Sequence, residues 1–232
     1  PTPHDGFQSF WRMVWEHGTT VIAMVTAEVE SNRRKCHRYW PDPTSIPPQP
    51  VMRYGQIVVR HDETVNKGGY SVRKFTVQLD GETRVLTHLC YTAWPDRGMP
   101  ATATSLIEMR QAMRDAASAG GMPGGPMPPI VVHCSTGVSR TGTFIAMDTL
   151  ASAVENRANV LSVEHTVTGL RNARVEMVQT LAQYIFVYKG IETFLEEEVA
   201  KALKAKKTAG GNNAKEDTLP QNGGMAMQVP WM

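Results

Sequence analysis

The chain has 232 residues, 41% of them hydrophobic, and its 24 Lys and Arg against 22 Asp and Glu leave a net charge of +2. That length suits one core, and so small a charge excludes a basic nucleic-acid surface as the organising feature. Three cysteines without close pairs exclude a disulfide scaffold and fit a reducing, cytoplasmic compartment; seven singly placed histidines offer no metal-ligand spacing, and no apolar run nears the roughly 18 residues of a membrane span.

In chain order, the apolar stretch Val21 to Val25 and the segment Gln56 to Arg60 predict strands. Tyr70 to Leu79 and Thr83 to Tyr91 alternate about Asp80-Gly81, a hairpin signal. Ala103 to Ala119 is predicted helical, with Leu106, Met109, Ala112 and Met113 on its periodic face. A Gly- and Pro-rich connection from Gly120 to Pro129 carries no expected chemistry and leads to a strand over Ile130 to His133. Helices are expected at Thr141 to Asn156, Val163 to Ala173 and Thr180 to Lys204. Leu181, Tyr184, Ile185, Tyr188 and Leu195 of the last are expected to face the core. Beyond residue 204 the periodicity fades and Lys, Ala, Gly and Asn accumulate, so 205–232 is expected to be a disordered tail. Together these elements predict an α/β fold, a mixed central sheet flanked by helices.

The chemistry concentrates where the last strand meets a helix, in His133-Cys134-Ser135-Thr136-Gly137-Val138-Ser139-Arg140-Thr141-Gly142. Small residues between a strand and a helix let successive backbone N–H groups converge into an anion-binding nest at the helix N-terminus. The same field favours the Cys134 thiolate; lowering an ordinary thiol pKa of about 8.5 by three units takes roughly 4 kcal/mol, within reach of several charge-assisted hydrogen bonds. Arg140, six positions on, presents a planar fork that grips two phosphate oxygens at once. Thr141 can offer its hydroxyl to the sulfur. Cys36 and Cys90 have aspartates, Asp42 and Asp96, at the matching distance, so only Cys134 shows the pattern.

A phosphoester leaving group needs a proton, and Asp96 is the candidate acid, set between Pro95, which stiffens the backbone, and Arg97-Gly98, which frees it, as in a closing flap. Taken alone, Pro95-Asp96 reads more simply as an ordinary surface turn, and it is the signature loop that reverses this preference; Trp94 as a core residue is compatible with anchoring the flap.

His133 to Gly142 resembles the signature loop of the protein tyrosine phosphatase family, in its tyrosine-specific branch. Trp94-Pro95-Asp96 with Gly98 and Pro100 is similar to that family's mobile acid loop, Gln179 to Tyr184 to its glutamine loop, and Phe10 to Glu16 to an early structural segment. Glu30, Lys35-Cys36 and Tyr39-Trp40-Pro41 resemble the loop that buttresses the signature arginine. The matches keep one order over residues 1 to about 198. Arg34 to Pro41 and Thr87 to Asp96 are most similar to non-receptor members that carry FERM and PDZ modules.

The resemblance implies a cysteine phosphatase fold over residues 1–204, phosphotyrosine proteins as substrates and a phosphocysteine intermediate. Cys134 would be the nucleophile, Arg140 and the amides of Ser135, Thr136, Gly137, Val138 and Ser139 the phosphate cradle, and Asp96 the acid. Gln179, with Gln183 assisting, would position the hydrolytic water; both read as solvated helix residues without the family. Trp94 would anchor the flap, His133 support the cysteine, Glu30 pair with Arg140 and Lys35 steady the loops. No cofactor, no metal and a monomer are implied.

Thr136 and Ser139 stand where the family usually has alanine and glycine, and Arg97 where it often has an aromatic residue or histidine. Family members also carry a segment ahead of the position of Pro1, with a tyrosine that stacks on the substrate ring, so the chain is expected to be an N-terminally truncated catalytic domain. A phosphotyrosine-binding pseudophosphatase, a dual-specificity enzyme and an inactive fragment remain as alternatives.

Overall fold

The computed structural model describes residues 5–121 and 124–210. In chain order the elements are α1 (Asp5–Glu16), β1 (Val21–Met24), β2 (Val29–Glu30), β3 (Arg33–Arg34), β4 (Val51–Tyr54), β5 (Ile57–Asn66), β6 (Tyr70–Leu79) and β7 (Glu82–Tyr91). There follow α2 (Thr104–Gly120), β8 (Ile130–His133), α3 (Ser139–Glu155), α4 (Val163–Ala173) and α5 (Leu181–Gly210). Six strands form one sheet in the order β4-β5-β6-β7-β1-β8, and β2 and β3 make a separate hairpin. β1 lies parallel to both β7 and β8, whereas β4 to β7 run antiparallel, so the sheet is mixed as expected.

β1 shows why the sheet is covered on both sides. All four of its residues are fully buried, the mark of a parallel strand covered on both faces. Val21 and Ala23 pack with Leu106 and Met109 of α2, Phe144 of α3 and Phe186 of α5, while Ile22 and Met24 pack with Trp11 of α1, Tyr39 and Trp40. The expected hairpin holds: Leu79 pairs with Glu82, and the two turn residues Asp80 and Gly81 take φ of 49° and 84°, the positive values a two-residue turn needs. α2 also buries Arg110, a charge compensated by Asp148, Ser152 and Glu155 of α3.

Several expectations are corrected. β5 starts at Ile57, because Gly55 and Gln56 form the turn of a further hairpin with β4, which the sequence reading passed over together with α1, β2 and β3 as elements. The inner face of α5 also differs, since of the expected stripe only Tyr184 is half-buried against the core. Leu181, Ile185 and Tyr188 are 73%, 46% and 51% exposed, Leu195 is exposed, and Gln183, Phe186, Val187, Ile191 and Phe194 are the buried side chains. The helix is apolar around much of its circumference, so hydrophobicity alone does not mark its inner stripe.

Compactness divides the chain into 1–195 and a second unit from Glu196. The described part of that second unit is helical to Gly210, with a Lys201–Glu198 pair at 2.8 Å, so residues 205–210 of the expected tail are ordered helix. The rest of the expected tail, 211–232, lies outside the described residues. Among the described residues no helix is long and apolar enough to cross a membrane.

Candidate active site

The signature loop sits where β8 ends and α3 begins, at the C-terminal ends of the parallel strands β1 and β8, the edge where open α/β sheets place their ligands. Val25 N–H donates to His133 O at 2.8 Å and so anchors the loop's entry. Gly137 turns the loop with φ 72°, a value costly for residues with a Cβ. The first turn of α3 closes by Gly142 N–H to Val138 O at 2.9 Å, which points the helix N-terminus at the loop.

Cys134 is buried, and burial by itself raises a thiol pKa. Hydrogen bonds from the Thr141 hydroxyl and from the amides of Thr141, Gly137 and Thr136 outweigh that cost and hold it below its ordinary value. The Thr141 hydroxyl is itself buried and bonds no other protein group, which leaves it to the sulfur. By contrast Cys36 and Cys90 are raised, chiefly by burial, Cys36 to about 11. Among the three free cysteines, then, Cys134 alone is held toward its thiolate form, while Cys36 and Cys90 are held toward the thiol.

Arg140 is fixed by a two-pronged bond to Glu30, 2.6 Å from Nη1 to Oε1 and 2.8 Å from Nη2 to Oε2. Glu30 is buried. Desolvation pushes its pKa up, but Arg140, the Ala27 amide and the Thr26 hydroxyl prevail and keep it lowered and charged. Arg140 Nη2 also donates to Pro95 O at 3.0 Å, and its guanidinium lies 5.5 Å from the Trp94 ring centre. The flap therefore rests on the arginine. Trp94 is buried against Tyr91 and Phe186, and its Nε1 donates to Gly98 O at 3.3 Å. Asp96 meets Lys35 Nζ at 2.7 Å; Lys35 and the Ser31 hydroxyl hold its carboxyl below the usual range.

A cavity of about 310 Å3 is lined by Cys134, Ser135, Thr136, Ser139 and Arg140 of the loop, by Lys35, Trp94 and Asp96, and by Gln179 and Gln183. Gly137, Val138, Thr141, His133 and Glu30 stand behind this wall as supports. The two glutamines part company. Gln179 is exposed at the cavity, its Nε2 donating to Glu176 at 3.2 Å. Gln183 is buried: its Oε1 accepts from the amides of Gln179 and Thr180, the Thr180 hydroxyl accepts from Gln183 N–H, and its Nε2 donates to Ser139 Oγ at 2.5 Å. Thr180 and Gln183 thus make a reciprocal capping box that starts α5.

His133 accepts or donates through Nε2 to the Tyr39 hydroxyl at 2.6 Å, and that hydroxyl also meets His88 Nε2 at 3.1 Å. Sequence reasoning missed Thr26, which joins Arg140 and Glu30, Ser31 on the acid, and Arg174, whose Nη2 donates to Thr136 O at 3.4 Å. Only Thr26 left a trace in the sequence, as a polar residue directly after the apolar run of β1.

The sequence model of the protein-tyrosine phosphatase family matches residues 1–193. The chain belongs to the protein-tyrosine phosphatase family. It is 36% identical over 205 residues to the mouse tyrosine-protein phosphatase non-receptor type 4, covering 88% of this chain and 21% of that protein. To the human receptor-type tyrosine-protein phosphatase eta it is 40% identical over 189 residues, covering 81% and 13%. The mouse non-receptor type 9 phosphatase is 37% identical over 203 residues, covering 83% and 33%. This phosphatase-family chain thus spans a third or less of each of these relatives. Its fold matches the crystal structure of the catalytic domain of human protein tyrosine phosphatase non-receptor type 18 with a TM-score of 0.74 and 30% identity, over 84% of this chain and 67% of that one.

Proposed function

We propose that residues 1–204 form a catalytic domain, a protein tyrosine phosphatase that hydrolyses phosphotyrosine in proteins through a phosphocysteine intermediate, as a monomer in the reducing cytoplasm. The observation that carries this reading is the convergence on one cavity of a Cys134 thiol lowered by loop hydrogen bonds, an Arg140 fork held by Glu30, and Asp96 on the flap above them.

In the first step the Cys134 thiolate attacks phosphorus while the bond to the tyrosine oxygen breaks. Arg140 and the loop amides hold the three equatorial phosphoryl oxygens, over which the transition-state charge is spread. Asp96 delivers its proton to the departing phenolate. In the unliganded arrangement Lys35 and Ser31 keep that carboxyl ionised. The approach of a dianionic phosphate acts in the opposite sense and favours the protonated acid. In the second step a water oriented by Gln179 attacks the phosphocysteine, Asp96 takes its proton, and inorganic phosphate leaves with the thiolate restored. Gln183 serves mainly by holding the loop that carries Gln179.

Hydrolysis of a phosphotyrosine peptide and its phosphoserine counterpart by the 232-residue chain, with Cys134→Ser beside it, tests the reading. Turnover selective for phosphotyrosine and absent from the serine variant is the expected result. Comparable turnover in that variant, or none by a folded wild-type chain, overturns it.

A further inference from the structure

The phosphate cavity is lined by the flap and Lys35 on the one hand and by the glutamine loop and Ser139 on the other. Arg140 is tied to the flap, for its Nη2 donates to Pro95 O at 3.0 Å while Glu30 holds both prongs. Ser139 is tied to the glutamines, its Oγ 2.5 Å from Gln183 Nε2. It is the first residue of α3. Because Cα–Cβ bonds tilt toward a helix's N-terminus, its side chain leans toward the loop that cradles the phosphate.

The Ser139 hydroxyl has a proton to spare. Gln183 Oε1 accepts from the amides of Gln179 and Thr180, at 2.8 and 3.3 Å, which turns the NH2 end of that side chain to Ser139. Ser139 Oγ is therefore the acceptor in their bond, and its own O–H is still to be placed. Among the described residues no group accepts it. A half-buried hydroxyl with an unused proton thus lines a cavity built for a dianion. The Arg140 fork takes two oxygens of a phosphoryl group and leaves the third to backbone amides.

We propose that the Ser139 side chain is a further phosphate ligand, its hydroxyl donating to the phosphoryl oxygen that Arg140 does not hold. The proposal rests on the reading of this cavity as the phosphotyrosine site, and adds a neutral side-chain donor to a cradle of amides and one arginine. Glycine, the family's usual residue at this position, has no atom to make the contact, so it is particular to this chain. The bond is available to substrate, phosphocysteine and inorganic phosphate alike. It therefore strengthens binding uniformly, lowering KM and the dissociation constant of free phosphate while kcat changes little.

The test compares the wild-type chain with Ser139→Ala and Ser139→Thr, using 4-nitrophenyl phosphate for turnover and calorimetric titration with inorganic phosphate for binding. Ser139→Ala is expected to raise KM and the phosphate dissociation constant together by about tenfold, the low end for a hydrogen bond to a charged group, with kcat within about twofold. Ser139→Thr keeps the hydroxyl and should stay within about threefold of wild type in both. The pH profile of Cys134 alkylation by iodoacetamide separates a lost contact from a distorted loop. That neutral reagent presents no phosphoryl oxygen, so the alanine variant should give the wild-type profile. A profile moved to higher pH in step with weaker phosphate binding would assign the loss to the loop and overturn the proposal, as would equal phosphate affinity in wild type and Ser139→Ala. Calorimetry needs no turnover, so the two readings are judged apart. Phosphate held by a chain that hydrolyses nothing overturns the phosphatase reading and leaves the wild-type to alanine ratio to decide this one; no phosphate bound by the wild-type chain overturns both.

Discussion

Two glutamines four residues apart have different surroundings, and the difference originates in Ser139. Its hydroxyl accepts the Gln183 amide at 2.5 Å, while the other end of that amide caps α5. Gln183 is thereby tied at both ends, and Gln179 is left at the cavity. Gln183→Ala removes a cap from two backbone N–H groups and leaves Ser139 without its donor, so it should cost about 1–2 kcal/mol of stability. Its kcat should fall by less than about threefold, whereas Gln179→Ala should retain stability and slow hydrolysis of the phosphocysteine by the ten- to hundredfold typical of a lost water-positioning group. Urea midpoints and the burst phase of a rapid-mixing assay separate the two. A burst in Gln183→Ala equal to that in Gln179→Ala would return the water to both residues.

At the scale of elements, the glutamine loop is held between two helices. α3 contributes Gly142: a Cβ there would stand 2.5 Å from Val178 N and 3.0 Å from the Met177 backbone. α4 contributes Arg171, which donates to Met177 O at 3.0 Å and Val178 O at 2.7 Å. Between them Val178, a buried β-branched residue, is kept at φ 57°, a conformation such residues adopt only under constraint. Gly142→Ala must push backbone against backbone. A loss of about 1–3 kcal/mol is expected, with Gln179 displaced and the second chemical step slowed. Unchanged urea midpoint and burst would show that the two helices yield freely.

The same elements show what the sequence disclosed and what it hid. Cys134 and Arg140 were legible because a fixed spacing within one loop encodes their chemistry locally, whereas Asp96, on its own more simply a surface turn, was singled out only beside that loop. The sheet was legible where strands alternate or turn through Asp80-Gly81. Arg174, Ser31 and the Tyr39–His88 pair were not, since they reach the site from other elements through backbone carbonyls or single side-chain contacts that leave no pattern in the chain. The inner face of α5 was misjudged because Phe186, Val187 and Ile191 compete with Leu181, Ile185 and Tyr188, and only tertiary packing decides between them.

Across the whole molecule, the hydrogen-bonded chain His133–Tyr39–His88 ties the signature loop to β7 through the core beneath α1. Burial is the main force on both rings. It lowers His133 to about 4 and His88 well below its usual 6.5, where Arg73 and His133 add to the effect. Both are therefore neutral in the folded chain at pH values where an unfolded chain already binds protons. With more protons bound in the unfolded state, stability rises with pH through this window and falls as pH drops. The contribution is complete above about pH 6.5 and is lost progressively toward pH 4, where His133 alone accounts for roughly 2–3 kcal/mol. Glu30, lowered from 4.5 by Arg140 against the cost of burial, withdraws its own contribution in the same direction at the acid end of the range. Urea midpoints measured at pH 7.5, 6.0 and 5.0 should therefore decline steadily, and the decline should begin before any carboxylate titrates. A midpoint that stays level or rises over this interval would mean that at least one ring carries its proton in the folded state, with Tyr39 acting as acceptor between them.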